Sequence, residues 1–264
     1  MTRIIRAELV RLLRRRTVLV TAAGAALFSV VATLTVFSSA RAPGVPAGPG
    51  RGGTTTAALA GPGGGTEAFA VGASFLGFFV FVTFIALMAG EFSGGTFRAL
   101  LLRDPRRLRL IAGKLAGILV VAGGAVAVAE VGTFVVSLLV APGRDIPTAE
   151  WFSVPSLGRA VADYATVLAG VAGWAVFGTM LAVIFRSTPL ALGVGFAWAG
   201  PFENIVVDSW RTGYRVFPGQ VLASLIRGGS SELGLGRSLL TATVYAGVAA
   251  AVALALVVRR DVTA

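Results

Sequence analysis

Residues 69–90 read FAVGASFLGFFVFVTFIALMAG, 22 positions without one charged side chain. A helix rising 1.5 Å per residue needs about 20 mostly apolar residues to cross a hydrocarbon core. This stretch supplies them. Comparable runs recur over residues 17–39, 111–140, 157–185, 190–207 and 238–258. Together they predict an all-α integral membrane protein with about six transmembrane helices, built as a single transmembrane domain over residues 1–264. The third and fourth runs are long enough to tilt or to project beyond the bilayer.

Composition points the same way. Charged residues make up 13% of the 264, hydrophobic residues 56%, and the mean hydropathy is +0.85. A soluble domain carries roughly 25% charged residues, so the charges here are too few to coat a core of this size. A net charge of +11 would suit a nucleic-acid binder. The basic residues, however, cluster between the apolar runs, as in segments that face the cytoplasm and anionic lipid headgroups. No role with nucleic acid is expected. The chain has neither Cys nor His. Disulfides, thiolate or imidazole metal sites and a Ser-His-Asp triad are therefore excluded. Heavy use of Arg, Ala, Gly and Val suits a GC-rich bacterial genome, and hence a bacterial cell membrane.

The basic residues also set an orientation. With the N-terminus inside, the inner segments are 1–16, 91–114, the turn at Arg186 and the tail 259–264, and they hold 15 of the 23 basic residues. Both termini are therefore expected in the cytoplasm. Arg14-Arg15-Arg16 ahead of an apolar run resembles a secretory signal. Residues 17–37 exceed the roughly 7–15 residues of a signal's apolar core, which favours a retained span. In residues 1–16, Ile5, Leu9, Leu12 and Leu13 share one helical face, with Arg3, Arg6 and Arg14 largely off it. This pattern suits an amphipathic helix in the inner interface or a plain topological anchor. Residues 40–68, rich in Gly, Pro and Thr, read as a flexible outer loop. Pro201 is placed to break the fifth span. In the outer segment 208–237, Val221, Leu222, Leu225 and Ile226 can form a short re-entrant helix, provided protein shields its backbone.

The segment joining the second and third spans, residues 91–114, reads EFSGGTFRALLLRDPRRLRLIAGK. Thr96 can cap a short helix whose Phe97, Leu100 and Leu101 share a face. Pro105 ends that helix, and Arg106-Arg107-Leu108-Arg109 leads into the third span. A short cytoplasmic helix with an apolar face and a rim of Arg98, Arg103, Arg106 and Arg107 suits docking against a partner. An ordinary positive-inside loop fits the same physics equally.

The pattern of Glu91, Gly95-Thr96, Arg98, Leu100, Leu101, Pro105, Arg107 and Gly113-Lys114 resembles the loop of ABC-2 type permeases, the membrane subunits of ATP-binding-cassette transporters. In that family the segment forms a coupling helix against the ATPase. The six-span layout, the amphipathic N-terminal helix and a larger outer segment before the last span are similar too. The resemblance implies an export permease paired with a separate cytoplasmic ATPase and with a second permease copy or related chain. ATP and Mg would then be bound on the partner. This chain itself lacks a P-loop: Gly113-Lys114 is followed by Leu115, and Leu108 replaces the leading glycine. No enzymatic activity, cofactor or metal is expected in it.

Three acidic residues fall at membrane depth: Glu130 within the third span, Asp163 in the outer part of the fourth, and Glu203 after Pro201. Intramembrane carboxylates are costly and mark pathways or buried pairs. For Asp163 the functional reading is a substrate pathway, or a pair with Arg159 or a neighbouring subunit, and interfacial placement is the simpler reading. Glu130 is either functional, or a protonated or hydrogen-bonded acid. It keeps an ion-coupled secondary transporter open as an alternative, although no internal repeat supports one. A structural membrane protein is the remaining alternative. Gly113, Gly117, Gly170, Gly173 and Gly178 supply small residues for close helix packing.

Overall fold

The computed structural model of the protein describes residues 2–42, 54–103 and 107–259. Among these the regular structure is helical, with only isolated bridges at Arg41–Thr55 and Gly229–Gly234. The spans form where the apolar runs predict them. They are α2 (Arg15–Ser39), α4 (Glu67–Ser93), α6 (Arg107–Val140), α7 (Val154–Phe185), a broken fifth span, and α12 (Leu235–Arg259). The fifth consists of α8 (Thr188–Ala197), a π-helical turn (Trp198–Phe202) and α9 (Glu203–Ser209). Six segments are thus long and apolar enough to cross a membrane, and the chain is a multi-pass membrane protein. Phe75 and Leu139 are 75% and 76% exposed on the outside of the bundle, where lipid rather than water suits them.

The core lies mainly between α4 and α7, where Phe81, Phe84, Ile85, Val167, Val171 and Trp174 are buried. α2 packs along α6. Ser29 Oγ lies 2.8 Å from the Ala25 carbonyl of its own helix and 3.1 Å from the Ala129 carbonyl across the interface. Between lipid-embedded helices, such a hydroxyl supplies attraction that the hydrophobic effect does not.

Short helices complete the chain: α1 (Thr2–Leu12), α3 (Thr56–Ala60), α5 (Thr96–Arg103), α10 (Gly213–Val216) and α11 (Pro218–Ile226). Pro201 lies inside the π-helical turn, where its missing N–H and ring bulk disrupt α-helical bonding. A short helix forms there as α11, with Val221, Leu222, Leu225 and Ile226 buried. It is shielded by protein. An added Cβ at Gly170 would stand 2.2 Å from Ile226, and one at Gly173 2.5 Å from Leu222.

The loop between the first two spans corrects one expectation. Residues 54–68 are not a flexible tether. Leu59 is fully buried, its carbonyl accepts from Trp151 Nε1 at 2.8 Å, and it packs with Val36, Phe37, Ala68, Ala141, Ile146 and Trp151 in a second small core. The Gly and Pro content that suggests flexibility instead lets the chain turn tightly beneath that core. Within the expected loop, residues 43–53 lie outside the described residues.

Candidate functional site

The site is built where α1, the end of α4 and the start of α6 meet. α1 lies against α6 over two glycines. A Cβ at Gly113 would come within 2.8 Å of Ile4, and one at Gly117 within 2.9 Å of the Glu8 Cβ. No larger residue fits there without pushing α1 away. On α1, Leu12 is buried and Ile5 and Leu9 are half-buried, as the amphipathic pattern predicts. Leu13 departs from it. It follows the last helical residue and is 57% exposed. The centre of the packed face is taken by Glu8, which is 5% exposed.

Glu8 is buried because it meets charge. Lys114 Nζ lies 2.6 Å from Glu91 Oε1 and 3.3 Å from Glu8 Oε2. Arg11 Nη1 lies 2.6 Å from the same Glu91 oxygen and 3.3 Å from Glu8 Oε1. Two carboxylates and two cations form a neutral cluster, which offsets much of the desolvation cost of burying each alone. Arg11, half-exposed at the rim, has its pKa raised above the usual arginine value, first by its hydrogen bond to Glu91 and then by the charges of Glu8 and Glu91. The second oxygen of Glu91, Oε2, is buried without a hydrogen-bond partner among the described residues.

Glu91 and Lys114, the first and last residues of the 91–114 motif, thus form one ion pair. From the sequence alone, Glu91 would pair with a loop arginine or meet the partner. Its described partners are Arg11 and Lys114. Between them, Gly95 takes φ +70, a left-handed conformation favourable to glycine, and the chain turns from α4 into α5. Thr96 is the first residue of α5 rather than its cap. The Ala99 amide donates to the Gly95 carbonyl at 3.2 Å. Phe97 corrects a second expectation. It is 2% exposed and packs on Phe92 at a ring separation of 4.6 Å, so it anchors α5 to its own span instead of filling a partner's groove. Leu100 is half-buried, while Thr96, Ala99 and Leu102 are exposed, Leu102 by 85%. Pro105 and the side chains of Arg98, Leu101 and Arg107 lie outside the described residues.

The three acids at membrane depth stay apart from this cluster. Asp163 is buried, accepts from Thr66 Oγ1 at 3.4 Å and lies 3.8 Å from Arg159 Nε. Glu130 is buried, and its Oε1 has no hydrogen-bond partner among the described residues. Glu203 is fully buried, and its role is legible in its contacts. The Gly219 and Gln220 amides donate to its two oxygens at 3.1 Å each. These are among the first amides of α11, which have no carbonyl partner within their own helix. Glu203 is therefore a cap supplied from the broken span to α11. Gly219 is what lets the carboxylate approach, since a Cβ there would stand 2.4 Å from Glu203 Oε2.

Sequence reasoning missed Glu8 and Arg11. One signal was available: Glu8 is the only acidic residue before Glu67, amid six basic residues of the first sixteen. None of the curated proteins matches the chain. A family described as "Protein of unknown function (DUF2705)" matches residues 48–263, which takes in Glu91, Lys114 and all three acids at membrane depth but leaves α1 outside. With most of its length matched, the chain belongs to this family.

Proposed function

We propose that the chain is the membrane-spanning permease subunit of an ATP-binding-cassette exporter. It lies in a bacterial cell membrane with both termini cytoplasmic. It works with a separate cytoplasmic ATPase, which binds ATP and Mg, and with a second permease copy or a related chain. One observation carries the reading beyond the resemblance of the 91–114 motif. The two ends of that motif are locked to each other and to α1 by the Glu8, Arg11, Glu91 and Lys114 cluster. A surface helix held this way moves as one body with α4 and α6, as transmission from a cytoplasmic motor into the membrane requires. The docking surface is the exposed Thr96, Ala99 and Leu102 face of α5 rather than the buried Phe97.

The experiment is copurification with a cytoplasmic ABC ATPase co-expressed with this chain, paired with its hydrolysis rate in membranes. Leu102 makes little packing contact, so Leu102→Asp leaves insertion intact. It removes an apolar anchor from the interface and is expected to weaken copurification at least tenfold, the loss of an anchor worth more than about 1.4 kcal/mol. Full copurification and unchanged coupled hydrolysis in the Leu102→Asp variant overturn the docking assignment.

A further inference from the structure

We propose that the outward face of α1, together with the start of α2, is a binding surface for anionic phospholipid headgroups. The face combines two kinds of side chain. Arg6, Arg14, Arg15 and Arg16 are exposed. Between and beside them, Val10 is 69% and Leu13 57% exposed. Cations flanking exposed aliphatic side chains suit the boundary between headgroups and acyl chains, where the aliphatic groups enter the bilayer and the guanidinium groups meet phosphate. No acidic side chain competes, because Glu8 is the only acid in this stretch and is buried on the opposite face against Lys114. That opposite face is also filled, with Ile4 and Glu8 seated on Gly113 and Gly117. Chain continuity supplies the last constraint. α1 passes within two residues into α2, a spanning helix, so its free face stays at the membrane surface. An anionic lipid surface is the occupant that this position and charge select.

This inference goes beyond the transport reading and needs no ATPase, so the two fail separately. It uses the inner orientation only to say which leaflet is involved, and vesicles with the same lipid in both leaflets remove that dependence. The chain has no Cys, so Val10→Cys carries a single environment-sensitive fluorophore. The labelled chain is reconstituted in phosphatidylcholine vesicles with increasing phosphatidylglycerol. The expected result is a blue shift, with quenching by lipids brominated near the headgroup, both growing with phosphatidylglycerol. High salt should reverse both, because the attraction is screened. Replacing Arg14, Arg15 and Arg16 together by Gln should raise the phosphatidylglycerol fraction needed several-fold, while replacing them by Lys should not. A probe that remains in water at every lipid composition overturns the proposal. So does one equally buried in pure phosphatidylcholine and indifferent to salt, which signals simple apolar insertion or coverage by protein. Should the Gln variant fail to insert, the salt titration of the labelled parent decides alone.

Discussion

Lys114→Met tests whether the cluster of Glu8, Arg11, Glu91 and Lys114 is a clamp. The ammonium is 4% exposed and lies 2.6 Å and 3.3 Å from two buried carboxylates. Its removal leaves Glu8 and Glu91 with Arg11 as their one described cation, so one buried negative charge is uncompensated. Breaking a buried pair in this way costs about 3–5 kcal/mol, or two to four powers of ten in the equilibrium that keeps α1 docked. Arg11 is 45% exposed and brings water to the rim, which favours the lower end of that range. Docking is read from the thiol-labelling rate of Leu12→Cys. Leu12 is 8% exposed in the docked state, so its rate follows the open population. Labelling should rise about a hundredfold in the Lys114→Met background. Adding Glu8→Gln restores neutrality and should return much of that rise, a coupling that the double-mutant cycle isolates. Labelling that is unchanged by Lys114→Met, or a cycle with no coupling, refutes the clamp.

Two further outcomes follow from the buried acids. Gly219→Ala places a methyl group 2.4 Å from Glu203 Oε2 and should displace the cap, lowering bundle stability by about 1–3 kcal/mol in denaturant titrations, whereas Gly236→Ala, in α12 with open space around it, should leave stability unchanged or raise it by up to about 1 kcal/mol. Glu130→Gln should leave stability unchanged or raised if Glu130 is only a tolerated buried acid, since an amide is cheaper to bury than a charge. A selective loss of transport with intact assembly would instead mark Glu130 as functional.

The spans were legible because crossing a bilayer depends on length and hydropathy, which a sequence displays directly. The break at Pro201 and the short helix around Val221–Ile226 were legible for similarly local reasons: a missing N–H in one case and an apolar cluster between two spans in the other. Direction was harder to read. The spacing of Phe97 and Leu100 defines a helix face but not what lies opposite it, and the structure turns Phe97 onto Phe92. Glu8 was hidden for a different reason. Its partner Lys114 is 106 residues away, and hydropathy assigns a carboxylate to the water-facing side unless a buried cation is already known.

Two of the short helices that do not span, α1 and α11, are attached by the same physical device at different places in the bundle. Lipid-embedded helices gain little from the hydrophobic effect when they associate, so close backbone approach and polar contacts must hold them. α1 rests on Gly113 and Gly117 and is fastened by its Glu8 to Lys114 and by its Arg11 to Glu91. α11 rests on Gly170 and Gly173 and is fastened by Glu203 through its own first amides. In each case the glycines set the distance and the carboxylate sets the register. The two fastenings differ in what releases them. The α1 cluster depends on charge balance, so a change in any of four side chains, or a new cation or anion brought to the half-exposed Arg11, shifts it. The Glu203 cap uses backbone donors that no substitution removes except at proline, and only steric intrusion at Gly219 or loss of the acid itself undoes it. The adjustable attachment is thus the one that holds the 91–114 loop, and the fixed one holds α11.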